Sequence, residues 1–185
     1  MAAKSSTFPT AYADLDTDQL ISAYSAGPER VRQVIQGLKP ADLKAHPREG
    51  KWSIQEIVVH LSDAEVMGAA RIRQAFAQPG STVAVYDQMV WAREMAYQDY
   101  DTKTFYTALM MFDALRLATA KLFQRATAAD WEKVVIHPEW GAITLRQLLE
   151  LYADHSERHI AQILTLRELL GKQLNLKLLL EKRLY

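Results

Sequence analysis

In the stretch LYADHSERHI, Leu151 to Ile160, two histidines stand four residues apart. On a helix that spacing sets one imidazole a turn above the other, where both can reach a single cation. With an ideal step of about 100° per residue, His159 falls between Tyr152 and Leu148 in azimuth, and His155 falls beside Leu148 and Leu166. Both therefore lie with the apolar stripe. Burying two neutral imidazoles costs free energy unless their nitrogens are bonded, and a shared metal satisfies both. A solvated surface pair is the alternative. Because two imidazoles leave a divalent ion under-coordinated, a third ligand decides between them. His46 and His137 each precede a proline and read as turn residues, whereas His60 sits inside a helical pattern at the edge of its apolar stripe. Asp63 follows one turn after His60, placed to orient an imidazole, to accept a proton, or merely to lie solvated on the polar flank. The chain has no cysteine, so thiolate ligands, disulfides and a cysteine nucleophile are excluded and any metal is held by N and O.

Helices must position these groups, and three helix starts carry the same signature: a short polar N-cap with Gln or Glu three residues on. Asp16 with Gln19, Ser53 with Glu56 and Thr144 with Gln147 fit it, each with an apolar staple: Leu15 to Leu20, Trp52 to Ile57, Ile143 to Leu148. The first helix carries Leu20, Ile21, Tyr24, Val31, Ile35 and Leu38, and Gly27 with Pro28 should kink or restart it. The second runs from Ser53 towards Ala77, the third from about Thr102 to Ala126, and the fourth from Thr144 to Gly171, a C′ glycine. Four long amphipathic helices predict an all-α four-helix bundle. The connection between helices two and three, Gln78 to Tyr100, is far longer than usual. It is rich in Tyr, Trp, Val and Met, and is expected to fold back over one end of the bundle. One domain over 1–185 is expected, with 1–14 as a tail and 172–185 as a leucine-rich extension docked on the bundle or on a second subunit.

Acidic and basic residues balance at zero net charge, which removes the broad positive field that gathers nucleic acid or anionic membrane. No stretch is long and apolar enough to span a bilayer, and the N-terminus has no signal-peptide or transit pattern, so a cytoplasmic address is expected.

Three motifs, GKWSIQEIVVHLSDAE, VYDQMVWAREM and ITLRQLLELYADHSERHIAQI, together resemble the DinB/YfiT-like superfamily of metal-dependent enzymes, in that family's order and approximate spacing. The middle motif resembles the YfiT branch. The resemblance covers nearly the whole chain and implies a four-helix bundle, often dimeric, with a divalent ion on His60, His155 and His159. Members include hydrolases and enzymes that use low-molecular-weight thiols.

An open three-histidine site acidifies bound water and polarises a carbonyl, which makes hydrolysis of a small ester or amide the first functional expectation. Asp63 or an acid from the long connection would be the general base, and Tyr86, Asp87 and Trp91 would line the pocket mouth. Zn²⁺ and Ni²⁺ lead as ions, with Fe²⁺ and Mn²⁺ also suited to imidazole and water. A transferase using an external thiol is the second expectation. A non-enzymatic dimer tied by its metal is the third.

Overall fold

A computed structural model describes residue 12 and residues 14–180. Four long helices dominate it: α1 (Thr17–Ile35), α3 (Ile54–Ala77), α5 (Thr102–Gln124) and α7 (Leu145–Leu169). Short helices α2 (Pro40–Lys44), α4 (Gln88–Glu94) and α6 (Ala128–Trp131) lie between them, with a 3₁₀ turn at Tyr97–Asp99 and a hairpin of β1 (Val134–His137) and β2 (Gly141–Thr144). Asp16, Ser53 and Thr144 each accept the N3 amide while Gln19, Glu56 and Gln147 reach back, so all three capping boxes form. Thr144→Ala should therefore lower stability by about 1 kcal/mol, read as a lower urea midpoint with unchanged slope.

Around the bundle the order is α1, α7, α3, α5, with α1 closing on α5. Two apolar clusters fill its ends. One holds Leu20, Tyr24, Ile72, Phe123, Ile143 and Leu149; the other holds Val31, Ile57, Leu61, Phe105, Phe112 and Ile163. From these memberships α1 and α7 start at the first end, and α3 and α5 start at the second. Neighbours α3 and α5 thus run parallel, and a parallel pair needs a connection as long as the bundle. That requirement explains the segment from Gln78 to Asp101, and it corrects the expectation that this segment covers one end. Its start pairs with β1 at the first end, through Gly80 N to Val134 O (2.8 Å) and Val83 N to Ile136 O (3.0 Å). Its finish buries Ala92 and Tyr97 in the second cluster.

Between the apolar ends lies a polar layer. Arg116, 1% exposed, donates from Nε to Glu65 Oε2 (2.6 Å) and from Nη2 to Tyr152 O (2.6 Å), and Tyr24 Oη donates to Glu65 Oε1. Arg116 also explains why α1 is unbroken at Gly27 and Pro28, against the expected kink or restart. Proline has no amide to offer the carbonyl four residues earlier. That carbonyl is Tyr24 O, and Arg116 Nη1 donates to it at 2.9 Å. A Cβ at Gly27 would stand 3.1 Å from both Arg116 Nη1 and Ser156 Oγ, so this glycine makes room for the arginine.

The expected tail lies mostly outside the described residues, but Tyr12 is buried and donates to Asp154 Oδ1 (2.5 Å). The extension, as far as residue 180, docks on its own bundle. Leu176 and Leu178 pack on the second cluster, Leu180 is buried in the first, and Glu157 Oε2 accepts from Leu179 N (2.7 Å).

Candidate metal centre

His60 comes from α3, and His155 and His159 come from consecutive turns of α7; these antiparallel neighbours meet at the polar layer. Their approach is close because α3 presents Gly68, where an added Cβ would lie 2.5 Å from the ring of Tyr152. His155 Nε2 stands 3.2 Å from His60 Nε2 and 3.1 Å from His159 Nε2. One potential ligand atom from each of the three lies within 4.8 Å of the others. His60 is 1% exposed, with the Trp52 ring centroid 4.8 Å from its own, and His159 is 5% exposed.

Burial first, and then the positive charge of Arg158, pushes the His60 imidazole down to about 3. His155 and His159 are also driven well below the usual histidine range, first by burial, then by the cost of charging one imidazole beside the others, and then by Arg158. All three are neutral bases at physiological pH. Gln162 Oε1 lies 2.7 Å from His159 Nδ1. An amide oxygen can only accept, so the His159 proton sits on Nδ1 and the Nε2 lone pair faces the cluster. His60 Nδ1 is buried without a hydrogen-bond partner.

These donors fit a divalent ion. Two nitrogens each about 2.0–2.1 Å from one zinc lie about 3.3–3.4 Å apart at the tetrahedral angle, close to the two separations observed. Three crowded neutral imidazoles can satisfy at most one of those contacts with a single shared proton, whereas one cation uses all three lone pairs.

Two clefts reach the cluster. One, of about 570 Å³, is walled by Arg48, Lys51, Trp52 and His159; the other, of about 450 Å³, by Arg71, Tyr86, His137, Tyr152 and His155. Gln88, Met89 and Arg158 border both, so the start of α4 and one arginine of α7 divide the approach. Tyr86 and Asp87 wall the second cleft; Trp91 is not among its walls and lies against Tyr86, the two rings tilted by 41° with centroids 4.4 Å apart. Asp87 also caps α4, accepting from Met89 N (2.8 Å) and Val90 N (3.1 Å).

Asp63 does not orient an imidazole. Its carboxylate accepts from Tyr97 Oη at 2.5 Å, and burial raises it above the usual carboxylate range. His46 is exposed and pairs with Glu56 (2.9 Å), as a turn residue can. His137, also expected in a turn, is instead the last residue of β1, 4% exposed and stacked on Trp140 at 4.2 Å. Burial, and then the charge of Arg71, holds its pKa below the usual range. The sequence reading missed Arg71 and Arg158. Arg71 lies eleven residues after His60, three turns along the same side of the helix, and Arg158 lies between the two histidines of α7; helical periodicity could have marked both.

Comparison with known proteins agrees with this architecture. The DinB superfamily profile matches residues 23–163. A Bacillus licheniformis protein named "Putative metal-dependent hydrolase" is 30% identical over 84% of this chain and 88% of its own length. A Geobacillus kaustophilus protein of the same description is 30% identical over 84% and 86%. Among solved structures, YfiT from Bacillus subtilis, described as a probable metal-dependent hydrolase with an unusual four-helix bundle topology, superposes with a TM-score of 0.77 at 24% identity, covering 84% of this chain and 87% of its own. A mycothiol-dependent maleylpyruvate isomerase shares the fold with a TM-score of 0.65 at 13% identity, over 83% and 63%. No helix among the described residues is long and apolar enough to cross a membrane. With its matched profile and its relatives, the chain belongs to the DinB superfamily.

Proposed function

We propose that this chain is a metal-dependent hydrolase of a small molecule, with His60, His155 and His159 holding one divalent ion through Nε2. The observation that carries this is the convergence of three neutral Nε2 atoms where two open clefts meet. Bound there, the ion supplies Lewis acidity, polarising a carbonyl and acidifying water. Three protein ligands leave coordination open, as catalytic sites do, whereas structural sites are usually closed by four.

The surrounding residues hold the donors and shape the field. Gln162 fixes the His159 tautomer. Trp52 covers His60 and keeps water from its back. Arg158 places positive charge beside the cluster, which favours negative charge developing on a reacting oxygen. Asp63 is not assigned as general base, because its carboxylate is engaged by Tyr97. Zn²⁺ and Ni²⁺ are the first ions to test, then Fe²⁺ and Mn²⁺.

The meeting of two clefts at one cluster favours a second reading, a transferase that seats an external low-molecular-weight thiol in one cleft and an electrophile in the other. Protein purified without a histidine tag and reconstituted should hold one divalent ion per chain. Chelation should abolish hydrolysis of an ester and amide panel, and the same ion should restore it. Turnover only with added thiol selects the transferase. Failure to bind any divalent ion overturns both.

A further inference from the structure

We infer that the cleft walled by Arg71 and His137 is a carboxylate subsite, so that the small molecule reacting at the histidine cluster proposed above carries a carboxylate remote from the reacting bond. Arg71 is 6% exposed. Its Nη1 donates to Tyr152 Oη (3.1 Å) and its Nη2 to Ala84 O (2.6 Å), while its Nε is buried with no partner. Both partners are neutral, and no carboxylate of the described residues lies within 4.0 Å of it.

The other buried arginines with resolved partners are treated differently. Arg30 pairs with Glu157, Arg116 pairs with Glu65, and Arg167 donates to Val34 O and Gln36 O at the negative end of the α1 dipole. An arginine cannot shed its charge, and a buried guanidinium without a counter-ion is costly. The open side of Arg71 is the cleft that also exposes His155.

A second donor meets it there. His137 Nδ1 accepts from Glu139 N (3.2 Å), which puts the imidazole proton on Nε2. That N–H has no partner among the described residues, although His137 is 4% exposed and walls the same cleft. A guanidinium and a neutral N–H together suit a carboxylate.

Position and charge narrow the ligand. Arg71 lies eleven residues beyond His60, about 16 Å along the helix axis, and helical side chains lean back towards the N-terminus. The carboxylate therefore sits several bonds from the reacting carbon. Asp87 and Glu139 border the cleft too, and their charge disfavours a dianionic phosphate more than a carboxylate. A cleft of about 450 Å³ suits a small molecule.

Calorimetric titration of the zinc-loaded protein with glutarate, adipate and pimelate, with their neutral diamides and with inorganic phosphate, tests this. At least one diacid should bind and its diamide should not. Arg71→Gln should weaken that diacid roughly tenfold or more, Arg71→Lys less, and His137→Phe to a smaller extent. Equal binding of diacid and diamide, no diacid binding, tighter binding of phosphate, or unchanged affinity in folded Arg71→Gln overturns the subsite. The diamide comparison needs no variant. If metal-dependent hydrolysis fails while diacid binding still depends on Arg71, the subsite stands and the hydrolase reading falls. If hydrolysis needs metal but diacid binding ignores Arg71, only the subsite falls.

Discussion

Alanine at His155 should remove the bound ion and the hydrolytic activity together, while the helical circular dichroism stays near that of the parent. His155 Nε2 is the atom nearest both other imidazoles, 3.2 Å from His60 and 3.1 Å from His159. Without it two nitrogens remain, too few to hold a divalent ion against water. We expect kcat/KM to fall by roughly 10³-fold or more, about 4 kcal/mol of transition-state stabilisation, with metal content per chain falling in parallel. Gln162→Ala is the milder companion. It leaves all three ligands but frees the His159 tautomer, and a loss of roughly 10–100-fold in metal affinity is expected. A variant at His155 that lost thermal stability yet kept full turnover would sink the proposed activity.

Leucine at Glu65 should be the most destabilising single change among those considered. Glu65 and Arg116 are each 1% exposed, and Glu65 takes Arg116 Nε on one oxygen and Tyr24 Oη on the other. Removing the carboxylate strands a fully buried guanidinium and a buried phenol. The cost is about 3–5 kcal/mol, which for a chain of this size means a fall in melting temperature of roughly 6–20 °C. Combining Glu65→Leu with Arg116→Met should recover part of the loss, since the buried charge leaves with its partner. Recovery should be incomplete. Tyr24 O, already without an amide at Pro28, and Tyr152 O would then lose their donor. Differential scanning calorimetry of the two single variants and the double variant measures each term, and a double variant no better than Glu65→Leu would contradict the pairing.

What could be read from the chain alone followed from local chemistry. Caps at Asp16, Ser53 and Thr144, the stripe from Ile57 to Ala75, and the C′ glycine at Gly171, which does take a positive φ of 67°, depend on residues three or four apart. The approach of His60 to His155 was legible because both lie on apolar faces. The features that escaped depend on distant partners. Nothing near Pro28 announces that an arginine 88 positions later will serve its helix. The four-residue strands Val134–His137 and Gly141–Thr144 are too short for alternation to stand out, and they are secured by Gly80, Ser81 and Val83 from the long connection. The parallel setting of α3 and α5 is a property of topology, so the length of their connection was visible but its path was not. Asp63 left three roles open in the sequence, and the bond it does make was hidden because its partner, Tyr97, comes from that same path.

The parallel pairing of first with last helix has a consequence for biosynthesis. His60 and His155 are 95 residues apart, and α7, the final long helix, packs beside α1, the first. On a ribosome, α1, α3 and α5 emerge before any residue of α7 is available. The nascent chain therefore holds His60 without its two partner imidazoles, and an open seam along α1 and α3, until α7 has been made, when a single docking event both seals the barrel of helices and assembles the centre.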